Sequence, residues 1–578
     1  MRPLQLLQAL ALVAVPVASL AAQGREQPES PSGRRIVPCV GQLIEQIVIY
    51  SEAPSVAALR RVPIVAKIAQ TMHVTTQPDV IDRFLLFRPG ERCSELRRAE
   101  SERILRAQPF ISDADVFMVA NENGTVDAEV RTSDEASIVL GGNVRARAPN
   151  VMSLLLGNAN LGGQGVYASG GWRTGDGFRD TFSGRLIDNQ FLGQSLVAGV
   201  EGERGSVGGR WRMQAGRPFF TDLQRVAWRA RVGASSGLMQ LRSPDGTRPS
   251  VAISQRYFDV GGITRIGVPG RLGLIGLSIT GDNEEPGNRL VAAESGVVRD
   301  LGPVPTPYTS HRIARMNLLL GVRDIHFERR AGLDALTATQ DVPLGVQVGM
   351  QLGRSSPMFG ATEEDFFLAG DLYAGLSHSP HTTTRLQLQG EGRRVAGETA
   401  WDGVLTTGRL THQIMITPSQ LDMFALEWAG GYQQRTPFQL LLGVPEGGVR
   451  GYENANLPGG QRLVARVEHR YTYGPFMRLA DIGFAGFADA GRQWAGDVPF
   501  GVTTPVKSSI GFSILAAVPR HSARMWRADF AVPLNKGAGA GFTLRFTNTD
   551  RTAFVFRDAR DVAKGRELTM PSSIFAWP

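Results

Sequence analysis

Arg462–Tyr473 reads RLVARVEHRYTY. In an extended chain Arg462, Arg466, Glu468 and Arg470 fall on one face, while Leu463, Ala465, Val467, Tyr471 and Tyr473 fall on the other. A strand with a wet, charged side and an apolar, aromatic side is what a lipid-facing barrel wall requires. The pattern recurs. Arg385, Gln387, Gln389, Glu391 and Arg393 alternate against Leu386, Leu388 and two glycines; Arg527 and Asp529 against Trp526, Ala528 and Phe530; Thr543 and Arg545 against Phe542, Leu544 and Phe546.

A soluble β-sandwich also alternates, but its strands are short and its turn signals evenly spaced. Here short Gly-containing turns are interleaved with long polar connections. Asn283–Tyr308, with Pro286, Pro303, Pro305 and Pro307, reads as one of the long ones. That asymmetry is expected of periplasmic turns against extracellular loops. Beyond the N-terminus no apolar run reaches the roughly 18–20 residues of a membrane helix, so any crossing uses strands, and they must close to leave no unpaired edge in lipid. Segmentation yields roughly fourteen to nineteen candidates for the region 135–554.

Composition agrees. Gly is abundant at 68 of 578 residues, charged residues make up only 20%, and the 42% hydrophobic residues are dispersed. The formal charge is +8, yet Pro38–Asp134 holds more acidic than basic residues, so the excess belongs to the C-terminal part. It is mostly Arg placed singly at alternate positions. Such Arg lines a wet lumen or faces lipopolysaccharide phosphate, and does not form a nucleic-acid patch.

Arg2, the apolar stretch Leu4–Leu20, and Ser19 and Ala21 before a cleavage point near Ala21 or Ala22 read as a signal peptide, residues 1–21. Residues 22–38 read as a flexible linker. Cys39 and Cys93 are the only cysteines. They cannot form a metal cluster; export permits a disulfide between them, the alternative being two separate thiols.

Residues 39–134 read as a small α/β domain. Leu43–Tyr50 is a strand, and Ile64, Val65, Ile68 and Met72 recur at helical spacing after Pro63. Thr76 and Asp79, with Pro78, mark a helix start carrying Val80, Ile81, Phe84 and Leu85 as far as Gly90. Ser94–Ala107 is another helix. Asp115–Ala120 and Thr125–Thr132 are strands joined across Asn123-Gly124.

The stretch Phe84–Val119 (FLLFRPGERCSELRRAESERILRAQPFISDADVFMV) resembles the second half of the POTRA domains of the outer-membrane assembly-factor superfamily, which includes BamA, TamA and the two-partner secretion transporters. Phe438–Arg470, centred on Val449-Arg450-Gly451-Tyr452, resembles that superfamily's long sixth loop, which folds into the lumen and sets its arginine against an acidic group of the wall. Phe487-Ala488-Asp489-Ala490-Gly491 resembles the motif that supplies the acid, and Asn160–Gly165 resembles the glycine motif of the first hairpin. The resemblance implies a barrel of about 16 strands, five of them after the loop, with one POTRA domain that takes extended peptides along an exposed strand edge. It also implies polypeptide clients in the periplasm, and accessory proteins there.

The residues carry this reading alone as well. An arginine at a loop tip inside a barrel needs a bidentate acidic partner. Asp489 shares its face with Gly483, Ala485 and Gly491, which leave room for a loop, and Glu468 also points inward. Two features depart from the superfamily. Residues 555–578 form a tail beyond Phe554, where such barrels end on an aromatic residue of the last strand, and there is room for only one POTRA domain where BamA has several.

No catalytic, cofactor or metal set emerges. Gly233–Gly237 (GASSG) matches a nucleophile elbow in letters only, because no helix follows. Gly163-Gln164-Gly165 precedes a strand, not the helix of a dinucleotide site. His378 and His381 lack a third ligand. The sequence therefore predicts an outer-membrane, non-enzymatic barrel that inserts or translocates polypeptide, against the alternative of a passive channel or structural barrel with a POTRA spacer.

Overall fold

The computed structural model describes residues 30–53, 74–145, 150–174, 180–294, 297–305, 308–444, 447–453, 455, 457–476, 479–535, 537, 541–548 and 559–566. The signal-peptide reading and the helical spacing of Ile64, Val65, Ile68 and Met72 lie outside these residues.

The N-terminal unit orders as β1 (Val40–Glu52), α1 (Pro78–Asp82), β2 (Arg92–Ser94), α2 (Glu95–Ala107), β3 (Ile111–Ala120) and β4 (Val126–Asp134). Its sheet runs β2-β1-β4-β3, with β1 parallel to β4. One apolar cluster, including Ile44, Val80, Ile81, Phe84, Leu105, Phe110 and Val130, fills the space between helices and sheet. The helix expected from Thr76 to Gly90 is only five residues long. Gln77 is its N-cap, without a side-chain bond. Thr76 instead gives its N–H and hydroxyl to Asp134 (both 2.7 Å), tying the start of the helix to the end of the last strand. Burial pushes the Asp134 carboxyl up to about 6 despite those two donors.

Cys39 and Cys93 are disulfide-bonded, their Cα atoms 5.4 Å apart, where Val40 pairs with Ser94. The sequence separation is 54 residues. Closing a loop of that length in the unfolded chain is worth about 4 kcal/mol on the chain-entropy model. Reduction should thus lower the stability of this unit by about that amount and leave the barrel folded. Protease cleavage between residues 40 and 134 with and without reductant, scored beside the heat-modifiable mobility of the barrel, measures it.

From Ile138 onward the chain builds a closed antiparallel barrel in which 21 strands are ordered among the described residues, 20 of them in the wall, where Arg271–Glu294 pairs directly with His311–Ala331. The remaining one, Val297–Pro303, pairs with the distal part of Arg271–Glu294 and extends that strand into a hairpin beyond the wall. The count exceeds the expected 16. Five strands do follow the long loop (Gln461–Phe476, Ala480–Trp494, Lys507–Ala517, Met525–Pro533 and Thr543–Asn548), so the excess precedes it. Most of the described part of the loop expected at Asn283–Tyr308 is accordingly strand, as far as Glu294 and again over Val297–Pro303: pairing continues past Pro286, where the register with Val251–Ile253 shifts to absorb the proline.

Alternation sets the two faces. On His311–Ala331, Met316, Leu318 and Val322 are exposed, whereas Arg315, Asn317 and Arg323 are buried inside. On Gln461–Phe476, Val467, Tyr471 and Tyr473 lie outside, and Arg462, Glu468 and Arg470 within. Apolar side chains on the outside and paired charges within are the inverse of a soluble barrel. No described helix is long and apolar enough to cross a membrane.

The N-terminal unit is docked on one end of the barrel. Gln77 N donates to Gly163 O (3.0 Å), and the Gln190 amide to Val80 O (2.8 Å). Phe220 enters the domain core. On α2, Arg106 holds Asp341 through two bonds (2.9 and 2.7 Å), and Arg329 spans Glu102 (2.5 Å) and Asp115 (2.9 Å). The Asn160–Gly165 turn belongs to this junction, linking strands Asn150–Asn158 and Val166–Arg173.

Candidate functional site

The described residues between strands Gln420–Tyr432 and Gln461–Phe476 turn back inside the barrel. A two-rung ladder closes the base of this loop, Leu440 opposite Gly459 and Leu441 opposite Pro458. The Gln439 amide donates to Arg242 O (3.0 Å) and Pro499 O (2.7 Å), which anchors the loop to two neighbouring connections.

At the tip, Val449, Arg450 and Tyr452 are buried. Arg450 meets Asp489 through two side-chain bonds, Nε to Oδ2 (2.7 Å) and Nη2 to Oδ1 (2.6 Å), and its backbone N–H also reaches Oδ2 (3.2 Å). The guanidinium lies over the Phe487 ring, 3.4 Å from its centroid, and Nη1 is 3.6 Å from both Glu468 and Asp529. A planar fork matched to a carboxylate and stacked on an aromatic face is a geometry that lysine cannot supply.

Of the two expected wall partners of Arg450, Asp489 is thus the hydrogen-bonded one and Glu468 a longer ion pair. Glu468 is held by Arg527 (2.9 and 2.6 Å) and Arg470 (3.3 Å). Asp529 in turn receives Ser513 Oγ (2.6 Å), Arg527 (2.5 Å) and Arg545 (3.0 Å). The clamp therefore sits in a network drawn from consecutive wall strands, and any motion of the loop breaks several bonds together.

The flanking residues fit the loop to the wall. Gly451 has φ +90°, a backbone conformation that a side chain would strain. The Tyr452 hydroxyl donates to Ser508 O (3.1 Å), pinning the turn to the strand Lys507–Ala517. At Gly491 a Cβ would lie 2.5 Å from Val449 Cγ2, so the loop and wall approach as closely as glycine allows.

A second element shares the lumen. The helix α3 (Arg560–Gly565) packs Val562 and Ala559 against Leu405, Phe438, Leu440 and Val444. Asp561 takes the Leu441 N–H (2.9 Å) and pairs with Arg462 (2.6 Å), while Arg566 reaches Glu391 (3.2 Å). Of the tail read as residues 555–578, the described part is thus an internal brace on the loop. Sequence reading missed it, since neither Arg462 nor Asp561 signals a partner about a hundred residues away.

Asp282, Glu284 and His311 lie buried with ligand-type atoms within 4.8 Å of one another, a grouping of adjacent strands that sequence spacing did not show. The enzyme-like motifs dissolve. Gly233–Gly237 is mid-strand within Val226–Gln240, Gly163–Gly165 forms a turn between strands, and His378 is the last residue but one of the strand Asp365–Ser379 while His381 occupies the following turn.

No family model matches the sequence, and no curated protein matches it. Solved structures do. BamA from Haemophilus ducreyi lacking POTRA domains 1-3 aligns over 88% of this chain and 84% of its own, at 13% identity and TM-score 0.38. CdiB from Acinetobacter baumannii covers 88% and 74% at 10% identity and TM-score 0.39. CdiB from Escherichia coli covers 92% of each chain at 10% identity and TM-score 0.35.

Proposed function

We propose that this chain is an exported outer-membrane barrel of the assembly-factor type, which inserts or translocates polypeptides and presents its N-terminal unit, a POTRA-like domain, to clients in the periplasm. The observation that carries the reading is the lumen loop clamped through Arg450 to Asp489, with five wall strands after it. The loop and the helix α3 occupy part of the lumen, which favours a gated barrel over a freely open one. The apolar outer face supports immersion in lipid, with lipopolysaccharide in contact with its rim. The site is built from ion pairs that brace a loop, and we read the protein as a non-enzyme without metal or cofactor.

Depletion of the protein in its native cell, followed by quantifying every outer-membrane barrel and every secreted protein, tests this directly. A fall in one or more of them is expected. Unchanged levels of all would leave the barrel without a client and remove the proposal.

A further inference from the structure

The strand β3 is an edge of the N-terminal sheet, yet its outer carbonyls are already taken. Arg106 donates to Ala114 O and Arg98 to Val116 O, both at 2.8 Å, from α2. Further along, the chain's own N-terminal segment continues the edge. Val37 N donates to Met118 O (2.8 Å), Ala120 N to Arg35 O (3.1 Å), and Ile36 lies antiparallel to Val119. The stretch expected as a flexible linker is therefore, in its described part, a turn over Ser30–Gly33 followed by a strand-like addition to the sheet at Arg35–Val37.

Its side chains fill a specific acidic notch. Asp127 and Glu129, alternate residues of β4, are both almost wholly buried. Arg34 Nη1 donates to Asp127 (2.8 Å), and the Ser32 hydroxyl and N–H donate to Glu129 (2.5 and 3.3 Å). Asp127 is held below the usual carboxylate range by its bonds from Arg34, Asn121 and Gln46, which outweigh burial.

The attachment is nevertheless shallow. Only two backbone–backbone bonds hold it, the other bonds coming from Ser32 and Arg34, whose Nη2 also reaches Ala120 O (3.1 Å) and Asn121; Arg34 is more than a third exposed, Ile36 is 41% exposed, and Val37 packs against the domain core. Two residues beyond Val37, the Cys39–Cys93 bond fixes the chain, so the segment can peel away without disturbing β1.

We infer that Ser30–Val37 is a resident strap on a peptide-docking edge, displaced by an extended polypeptide that places an arginine or lysine over Asp127 and a hydroxyl over Glu129. This deepens the proposed function, since it assigns the edge and the residue preference by which a client is taken; it also corrects the expectation of an open edge. Backbone bonds supply affinity to any extended segment, and the two buried carboxylates select the basic one.

The test uses full-length protein in detergent and a labelled peptide of the strap's own sequence, SPSGRRIV. Two variants loosen the strap, Ser32→Ala with Arg34→Ala, and replacement of residues 30–37 by a Gly/Ser segment of equal length. Both should bind the peptide at least about tenfold more tightly than the parent, in which the strap competes at high effective concentration. A peptide with glutamate at the position of Arg34 should bind at least about tenfold less well than the strap sequence. Equal binding by parent and both variants, or equal binding of the two peptides, would overturn the inference. Because the readout is peptide affinity, its failure is separate from an unchanged proteome on depletion, which would remove the client role while leaving the strap.

Discussion

Arg450→Ala is expected to destabilise the loop-filled barrel, because it leaves the Asp489 carboxylate in a site with no exposed side-chain surface. Breaking a buried pair by removing one partner costs roughly 3–5 kcal/mol. The lower end applies here. After Arg450→Ala the carboxylate keeps the backbone N–H of residue 450 and faces Arg466 across the strand pair. After Asp489→Ala the guanidinium keeps Glu468 and Asp529 at 3.6 Å. The double variant should cost less than the sum of the two, since the second change removes the stranded charge. Urea unfolding of the four proteins in lipid vesicles gives the cycle. Simple additivity would mean that the two groups do not act as a pair.

Removal of the tail after Asn548 should have the second large effect. Truncation takes away Ala559 and Val562 from the cluster around Phe438, and leaves Arg462, 3% exposed, without Asp561. Loss of one buried aliphatic side chain costs about 2–3 kcal/mol, and the stranded guanidinium adds to it. The Leu441 N–H at the loop base also loses its acceptor, the Asp561 carboxylate, so the lumen should open. Single-channel recording in a planar bilayer should show conductance at least about tenfold above that of the full chain. Arg462→Ala with Asp561→Ala should loosen the loop less, because the apolar contacts persist. Equal conductance of full and truncated chains would show that α3 does not occlude the lumen.

The barrel was legible because alternation is a local property. In RLVARVEHRYTY every second residue declares its side, and the structure places Arg462, Glu468 and Arg470 inside and Val467, Tyr471 and Tyr473 outside. The number of strands was not. Val226–Gln240 (VAWRARVGASSGLMQ) mixes Gly, Ser and Ala onto both faces, so its period weakens midway, and Thr181–Asp188 (TFSGRLID) carries too few residues per face to stand out. The prolines of Asn283–Tyr308 suggested a loop, but a register shift lets a strand tolerate Pro286.

At the site, Arg450, Asp489 and the small-residue face of Ala480–Trp494 could be named in advance, because a motif and a strand period both pointed to them. The ranking of acids could not. Glu468 and Asp489 are both inward-facing, and only the stagger of the strands decides that Asp489 meets the fork of Arg450 while Glu468 goes to Arg527. Contacts that join distant segments left no sequence trace. The brace from α3, the strap on β3 and the docking of α2 through Arg106 to Asp341 all follow from closure of the barrel and chain path.

The account turns on the loop being seated against the wall, and Val449 with Gly491 tests that most directly. A Cβ at residue 491 would fall 2.5 Å from Val449 Cγ2, a clash that replacing the valine relieves, so Val449→Cys with Gly491→Cys should form a disulfide in cells without added oxidant, seen as a mobility shift of the boiled, unreduced protein. Val449→Cys paired with Gly486→Cys, which looks onto open space on the opposite face of the same strand, should form none. Free thiols at both positions of the first pair, in barrel that still shows heat-modifiable mobility, would place the loop outside the lumen and contradict the account.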